Sequence, residues 1–281
     1  MRVGKSIKLD YGNRKTARWL GTADWHIGAH VWLEEAITRC MRKVKRTGMQ
    51  WVHGADAIDG IRPSDPRYMA SEHKMVILDQ IATAERLMRI GANTCVGMVA
   101  GTHEVSESRD IGNVAEHICT GSGVPYLGYS AFVRIVGTTG TGTLYLVHGT
   151  SAFNPKAGCV DRRSANRRIS LRRYFAGRDA DVCLCGHGHH CIVASPLASV
   201  KLGLSLDNTI KLRPVCEEGK WCIMLPSLHH FEDTYAERRG LDPTATGWCE
   251  FVHDWDGACV AVERFDVDGK VLEVYEPVIE R

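Results

Sequence analysis

The sequence predicts an α/β fold with extensive parallel pairing. Short apolar runs alternate with segments of helical period through the first two thirds of the chain. Ionisable residues and glycines gather just after those runs, at the C-terminal strand ends where open α/β sheets place their sites. A final stretch of closely spaced strand patterns adds antiparallel structure behind them.

The first run, Ala17 to Ala23, reads as a strand leading into Asp24 and His26. Residues two apart in extended backbone project to one side, so this carboxylate and imidazole are expected to face together. That mixed oxygen and nitrogen donor pair suits Mn, Fe or Zn. A helix follows over about Val31 to Arg46, with Ile37, Cys40, Met41 and Val44 as its apolar stripe and Gly48 as its stop. A second strand, Met49 to Ala55, delivers Asp56 and, across a turn, Asp59. Three residues apart, these carboxylates are expected to do different work.

A loop with Pro63 and Pro66 leads to a helix from about Ser71 to Ile90, whose Ile77, Ile81, Ala84 and Met88 suit core packing. The strand Thr94 to Ala100 ends in Gly101-Thr102-His103-Glu104, and Thr143 to Val147 ends in His148-Gly149. The strand Asp181 to Cys185 ends in Gly186-His187-Gly188-His189-His190. Its two-residue spacing again predicts paired imidazoles, and flanking glycines let the backbone come close to whatever they hold. Possible strands at Leu202 to Leu206 and Trp221 to Leu225 precede clearer ones at Gly247 to Val252, Ala258 to Phe265 and Val271 to Tyr275. The histidines His190, His229 and His230 find no partner in this pattern, so surface or hydrogen-bonded roles are expected of them.

Composition sets outer bounds. A net charge of +2 gives no global attraction to nucleic acid or membranes, so any such preference must be local. The eleven cysteines are odd in number and include no CxxC, which argues against a disulfide framework. Cys183, Cys185 and Cys191 are expected to be buried thiols rather than a zinc cluster. The polar start shows no secretory signal, and no run approaches a membrane span, so a reducing, cytoplasmic location without membrane contact is expected. No linker composition or internal repeat divides the chain, so residues 1–281 are expected to form one domain.

Five strand ends thus carry, in order, Asp-x-His, Asp-x-x-Asp, Gly-Thr-His-Glu, His-Gly and Gly-His-Gly-His. The series resembles the calcineurin-like metallophosphoesterase superfamily, whose signature runs DxH, GDxx(D/E), GNH(D/E), a later His, then GHxH. The resemblance covers roughly residues 18–190 and rests on order, residue type and strand-end placement together. It implies a four-layer α/β/β/α sandwich of two mixed β-sheets flanked by helices, with two divalent metal ions. Mn²⁺ is expected first, with Fe, Zn or Ni as alternatives. By position, Asp24, His26 and His189 would hold the first metal, His148 and His187 the second, and Asp56 would bridge them. His103 would stand beside the scissile phosphate, oriented by Asp59.

Two positions depart from the pattern. Ala55 replaces a glycine, which is expected to need only an ordinary backbone conformation. Thr102 replaces an asparagine whose amide oxygen would bind the second metal, so a weaker second site is expected. The resemblance implies hydrolysis of a phosphate ester, with a nucleotide or nucleic-acid diester (DNA or RNA) favoured. Gly60 stands after Asp59 where protein phosphatases carry Arg, which argues against a protein phosphatase. A phosphomonoesterase and a non-catalytic scaffold remain the alternatives. The arginine-rich segment 161–174 offers Arg162, Arg163, Arg167 and Arg168 as a phosphate-backbone clamp, or else as a solvated helix with a few ion pairs.

Overall fold

A computed structural model describes residues 2–4, 6–66, 68–73, 75–150, 158–204, 210–232, 235–238, 240 and 242–277. In chain order it opens with β1 (Arg2–Val3), β2 (Ile7–Lys8), β3 (Ala17–Thr22), α1 (Glu34–Thr47) and β4 (Gln50–His53). Next come α2 (Ile77–Arg89), β5 (Cys95–Met98), α3 (Thr102–Ile111), α4 (Val114–Ser122), β6 (Ser130–Val136) and β7 (Thr141–Val147). The arginine-rich segment forms α5 (Val160–Phe175), followed by β8 (Val182–Cys185), β9 (Ile192–Ala194), β10 (Leu197–Leu204), β11 (Ile210–Glu218) and β12 (Trp221–Met224). The chain finishes with α6 (Tyr235–Arg238), β13 (Trp248–His253), β14 (Cys259–Phe265) and β15 (Val271–Tyr275).

Two mixed sheets result. One has the order β15-β14-β13-β3-β4-β5, with β3, β4 and β5 parallel and the other neighbours antiparallel. The other has the order β1-β6-β7-β8-β12-β9, with β2 also on β6 and with β7, β8 and β12 parallel. Strands β10 and β11 pair only with each other among the described residues.

Strand alternation divides the apolar side chains into three cores and so sets four layers. Trp19, Val52, Leu144, Leu146, Val182, Leu184, Ile223 and Phe251 fill the space between the sheets. Their sequence neighbours Leu20 and Trp51 point the other way, onto Ile37, Met41 and Val44 of α1 and Ile81 and Leu87 of α2. Behind the second sheet, Cys183, Cys185, Cys222 and Met224 meet Leu171 and Phe175 of α5. The α/β/β/α order is the expected one. Cys183 and Cys185 are buried free thiols, as anticipated, and Cys191 is half-buried.

The second predicted helix begins six residues later than its pattern suggested, at Ile77, because residues before Val76 turn back toward the strand ends. Helix α4 and strand β6 were not legible as separate elements. The predicted strands at 49–55 and 94–100 are shorter than expected, since their last residues leave the ladder to build loops.

The inter-sheet core contains a polar contact that titrates. Trp19 stacks on Phe251 at 4.0 Å between ring centroids and donates its indole N–H to His253 Nε2 at 2.8 Å. His253 Nδ1 donates to the Gly257 carbonyl at 2.9 Å, so only the neutral ring can also accept from Trp19. Burial lowers the His253 pKa to about 4. The unfolded chain therefore takes up a proton first as pH falls, and stability is lost between pH about 6.5 and about 4. One such group contributes up to about 3 kcal/mol over that window. Urea unfolding of His253→Gln across pH 4–7 should give a visibly shallower slope than the native protein; equal slopes would show that His253 does not carry this dependence.

Candidate metal centre

Strands β3, β4 and β5 of one sheet and β7, β8 and β12 of the other end on one edge. From the first sheet, β3 delivers Asp24 and His26, β4 delivers Asp56 and Asp59, and β5 leads through Gly101 into Thr102 and His103. From the second, β7 delivers His148, β8 delivers His187 and His189, and β12 leads to His229. Main-chain hydrogen bonds lace these exits together. Asp24 N–H donates to Ala55 O at 2.9 Å, His26 N–H to Asp56 O at 3.1 Å, and Leu228 N–H to Asp24 O at 3.0 Å. Gly186 N–H donates to His148 O at 2.8 Å.

The side chains do not converge through extended backbone. Among the described residues six non-glycine residues have positive φ: Asp24, His26, Ala55, Asp56, His187 and His189. All six belong to these loops, where left-handed backbone costs on the order of 1–3 kcal/mol per residue. The same-side projection expected from strand spacing is therefore achieved by tight left-handed turns. Ala55, at φ +79°, corrects the expectation that it needs only an ordinary conformation: it holds the glycine-type conformation despite its Cβ. Close approach fixes two true glycines. A Cβ on Gly101 would stand 2.0 Å from Asp56 Oδ1, and one on Gly186 would stand 2.8 Å from Asp24 Oδ2.

The resulting cluster contains two three-residue sets with Asp56 in common. Asp24, His26 and Asp56 form one, and Asp56, His148 and His187 form the other, with ligand-type atoms within 4.8 Å of one another in each. His148 Nε2 lies 2.9 Å from Asp56 Oδ2 and 3.1 Å from His187 Nδ1. His189 Nε2 lies 3.0 Å from His26 Nε2 and 3.9 Å from Asp24 Oδ1. The Thr102 hydroxyl donates to Asp56 Oδ2 at 3.2 Å, and the His103 main-chain N–H donates to Asp56 Oδ1 at 3.0 Å. No cysteine joins either set among the described residues.

Hydrogen bonds on the outer side of the cluster assign the tautomers. His26 Nδ1 faces the Asp59 carboxylate at 3.3 Å, and His148 Nδ1 faces the Gly54 carbonyl at 2.9 Å, so both carry their proton there. Their Nε2 lone pairs then point inward. At His26 that lone pair meets His189 Nε2; at His148 it meets a carboxylate oxygen. Acceptors packed against acceptors call for a positive charge between them. The electrostatics agree. Burial would lower the His148 pKa, but the Asp56 carboxylate pushes it up to about 10, so a proton on Nε2 supplies that positive charge where no cation does. Burial keeps His26 and His189 neutral by lowering both, and brings His187 down to about 4. Burial raises Asp24 well above the usual carboxylate range, and the Asp56 charge adds to this; Asp56 itself, despite burial, is held far below that range by His148 and His103. Neutral imidazoles with two or more buried carboxylates are a donor set that fits divalent cations of the Mn, Fe and Zn type.

Three residues were missed or assigned differently by sequence. His229, expected at the surface or in an isolated hydrogen bond, is buried, and it forms a candidate ligand set with His26 and His189. Its signal was β12, a parallel neighbour of β8 whose C-terminal end must reach the same edge. His73, read as the start of a helix, sits 3.3 Å from Asp59 Oδ2. Glu104 is fully buried and accepts main-chain N–H bonds from Asp56, Ala57 and Gly101 at 3.2, 2.6 and 3.0 Å. Burial raises its pKa to about 7.

Asp59 also differs from expectation. Its main-chain carbonyl, rather than its carboxylate, contacts His103 Nδ1, while the carboxylate faces His26 and His73. Burial would raise Asp59, but those imidazoles hold it well below the carboxylate range. On α5, Arg163 and Arg167 both pair with Asp242, at 3.0 and 2.5 Å, and Arg168 lies 3.4 Å from the Ser164 hydroxyl, while Arg162 is exposed. Two of the four arginines are thus engaged in ion pairs within the chain, and a third in a hydrogen bond.

The sequence matches no protein-family model and no curated protein sequence. Among solved structures, the chain is similar to a conserved uncharacterized protein, a predicted phosphoesterase, from Streptococcus pneumoniae. Identity is 12%, coverage is 93% of this chain and 98% of that one, and the TM-score is 0.42. It is similar to Yfce, a phosphoesterase from E. coli, at 12% identity, 92% and 98% coverage and a TM-score of 0.44. Vps29 from Entamoeba histolytica, solved with zinc, gives 12% identity, 92% and 98% coverage and a TM-score of 0.39. At this distance, what the site can do is read from its own side chains. No helix among the described residues is long and apolar enough to cross a membrane.

His229 Nδ1 faces the His230 carbonyl at 2.7 Å, so it carries the proton and leaves Nε2 as an acceptor, 2.9 Å from His189 Nδ1. A proton on His189 Nδ1 satisfies that acceptor and leaves His189 Nε2 free to face the cluster. Removing such an orienting partner typically weakens metal affinity about 10–100-fold. Metal titration of His229→Ala should show that loss, with His229→Gln, whose amide oxygen accepts the same bond, recovering most of it. Unchanged affinity in His229→Ala would show that His189 is oriented without it.

Proposed function

We propose that this protein is a dinuclear metal-dependent phosphoesterase, acting on a phosphodiester of a nucleotide or nucleic acid. The observation that carries the reading is Asp56, a single buried carboxylate common to two candidate ligand sets that are otherwise made of separate residues. Asp24, His26 and His189 would hold the first ion, with His229 behind His189, and His148 and His187 the second. Thr102 would stand near the latter with its hydroxyl turned to Asp56. The ions, with Mn²⁺ the first candidate, would supply Lewis acidity and a water made acidic enough to attack phosphorus at neutral pH.

The chain's own residues do the rest. Asp56 offsets the repulsion of two cations held in one site. Asp59 aligns His26 through its carboxylate and His103 through its carbonyl. His103, with Nδ1 fixed by that carbonyl, presents Nε2 to the site and would donate a proton to the leaving oxygen. Glu104 holds the main chain of Asp56, Ala57 and Gly101 in register, so both exits keep their spacing. The exposed Arg162 and Arg168 of α5 are left to meet a polyanion, while Arg163 and Arg167 brace the helix against Asp242. A second reading, a non-catalytic scaffold, is favoured by one feature only: Thr102, a weaker neutral donor than an asparagine amide.

Three variants separate the roles. Asp56→Asn should lower the metal content of both sites and abolish hydrolysis of a bis-aryl phosphodiester. His103→Ala should keep both metals, measured by elemental analysis, and slow hydrolysis about 10²–10⁴-fold; loss of metal instead would make His103 a ligand. Thr102→Asn should bring two unequal metal affinities closer together and lower the Mn²⁺ needed for half-maximal rate. A native protein that binds two metals yet hydrolyses no phosphate ester, with Thr102→Asn equally inert, would establish the scaffold reading.

A further inference from the structure

Beside the cluster lies a cleft of about 540 Å³ whose lining joins Thr102, His103 and His148 to Arg109 and Tyr129. One face of α3 forms much of one side, because Thr102, Ser106 and Arg109 are four and seven residues apart. Seven residues of helix advance about 10 Å, so Arg109 stands well beyond the reacting phosphate.

Two features of the cleft have no use within the fold. Arg109 is exposed and has no carboxylate partner among the described residues, although acidic residues flank it on the same helix. Those neighbours, Glu107 and Asp110, are both taken by Arg62. Several other arginines are paired, as Arg18 is with Glu263 and Arg86 with Glu34. Arg109 therefore keeps its full charge at the cleft. Tyr129 is 69% exposed, and no ring stacks on it among the described residues. Its backbone is held nonetheless. Just before it, Leu127 N–H donates to Met98 O at 2.8 Å, and Gly128 O accepts from Ala100 N–H at 2.8 Å. Stitched to the end of β5 in this way, Tyr129 presents an open aromatic face beside the site at little ordering cost.

We infer that this cleft is the leaving-group subsite for a nucleic-acid strand, with Tyr129 stacking on the base next to the scissile phosphate and Arg109 meeting the following phosphate. The inference rests on the phosphodiesterase reading above. The side is set by His103, which shares the cleft: the ester group seated there is the one whose oxygen His103 reaches. An aromatic face tolerates any base, and a guanidinium two helical turns away suits a backbone phosphate, so the subsite would read strand and charge rather than sequence. A peptide bearing one phosphate would leave Arg109 without its anion.

The test compares kcat/KM for three substrates in Mn²⁺: a thymidine dinucleotide, the same dinucleotide with a further phosphate on the leaving nucleoside, and methyl p-nitrophenyl phosphate. Native protein should prefer the phosphorylated dinucleotide. Tyr129→Ala should lower the ratio of dinucleotide to methyl ester about 10-fold or more, mainly through KM, with Tyr129→Phe restoring it. Arg109→Ala should remove the preference for the extra phosphate and flatten its salt dependence. Metal content of two per chain in each variant guards against misfolding. Ratios unchanged in both alanine variants would overturn the subsite, as would a native protein that cleaves the methyl ester but not dinucleotides; in either case the phosphoesterase reading survives. Native protein that cleaves none of them overturns both.

Discussion

The buried carboxylate of Asp56 is the constraint on which the two halves of the molecule meet. It receives the His103 main-chain N–H on one oxygen and the Thr102 hydroxyl on the other, and that second oxygen also touches His148 from the opposite sheet. A carboxylate in such a place is tolerable only if positive charge and hydrogen bonds surround it. Every nearby loop contributes to that requirement. Glu104 grips the peptide groups on either side of Asp56, Gly101 makes room for its side chain, and burial keeps the nearby His187 and His189 neutral.

The same demand explains why strain is concentrated where it is. Six non-glycine residues in left-handed backbone would be a heavy cost for a protein held together loosely. Here the strands that carry them are anchored by the core between the sheets, where Trp19, Phe251, Leu144 and Leu184 are essentially inaccessible to water. Burial of side chains of this size is worth roughly 1.5–3 kcal/mol each, enough to hold several strained exits in place. The strained conformation lies at the candidate ligand positions themselves, so rigid strands set the site's geometry and the loops have little freedom to relax it.

Around this rigid centre the chain distributes its charges unequally. Several arginines are consumed in ion pairs that fasten one element to another: Arg62 ties the β4 exit to α3, and Arg163 and Arg167 fasten α5 to Asp242. The arginine-rich segment is thus structural in part, while Arg109 keeps its charge beside the site. Local density of basic residues says little about where free charge stands, because carboxylates from distant parts of the chain decide it.

Much of the fold and the centre was legible from the sequence. Alternating periods identify the α/β class, and residue types at successive strand ends identify Asp24, His26, Asp56, His103, His148, His187 and His189 as one constellation, because strand-end position in a parallel sheet is a property of local pattern. Other features depend on what lies across space. His229 and His73 follow no local rule; one arrives because β12 runs parallel to β8, the other because the chain before α2 folds back onto Asp59. The positive φ of Ala55 goes with a loop whose carbonyl accepts from the Asp24 main chain, which residue type alone does not announce. Local sequence specified which donors this protein owns. Tertiary packing decided their tautomers, their partners and which charges were left free, because each of those is settled by a neighbour remote in the chain.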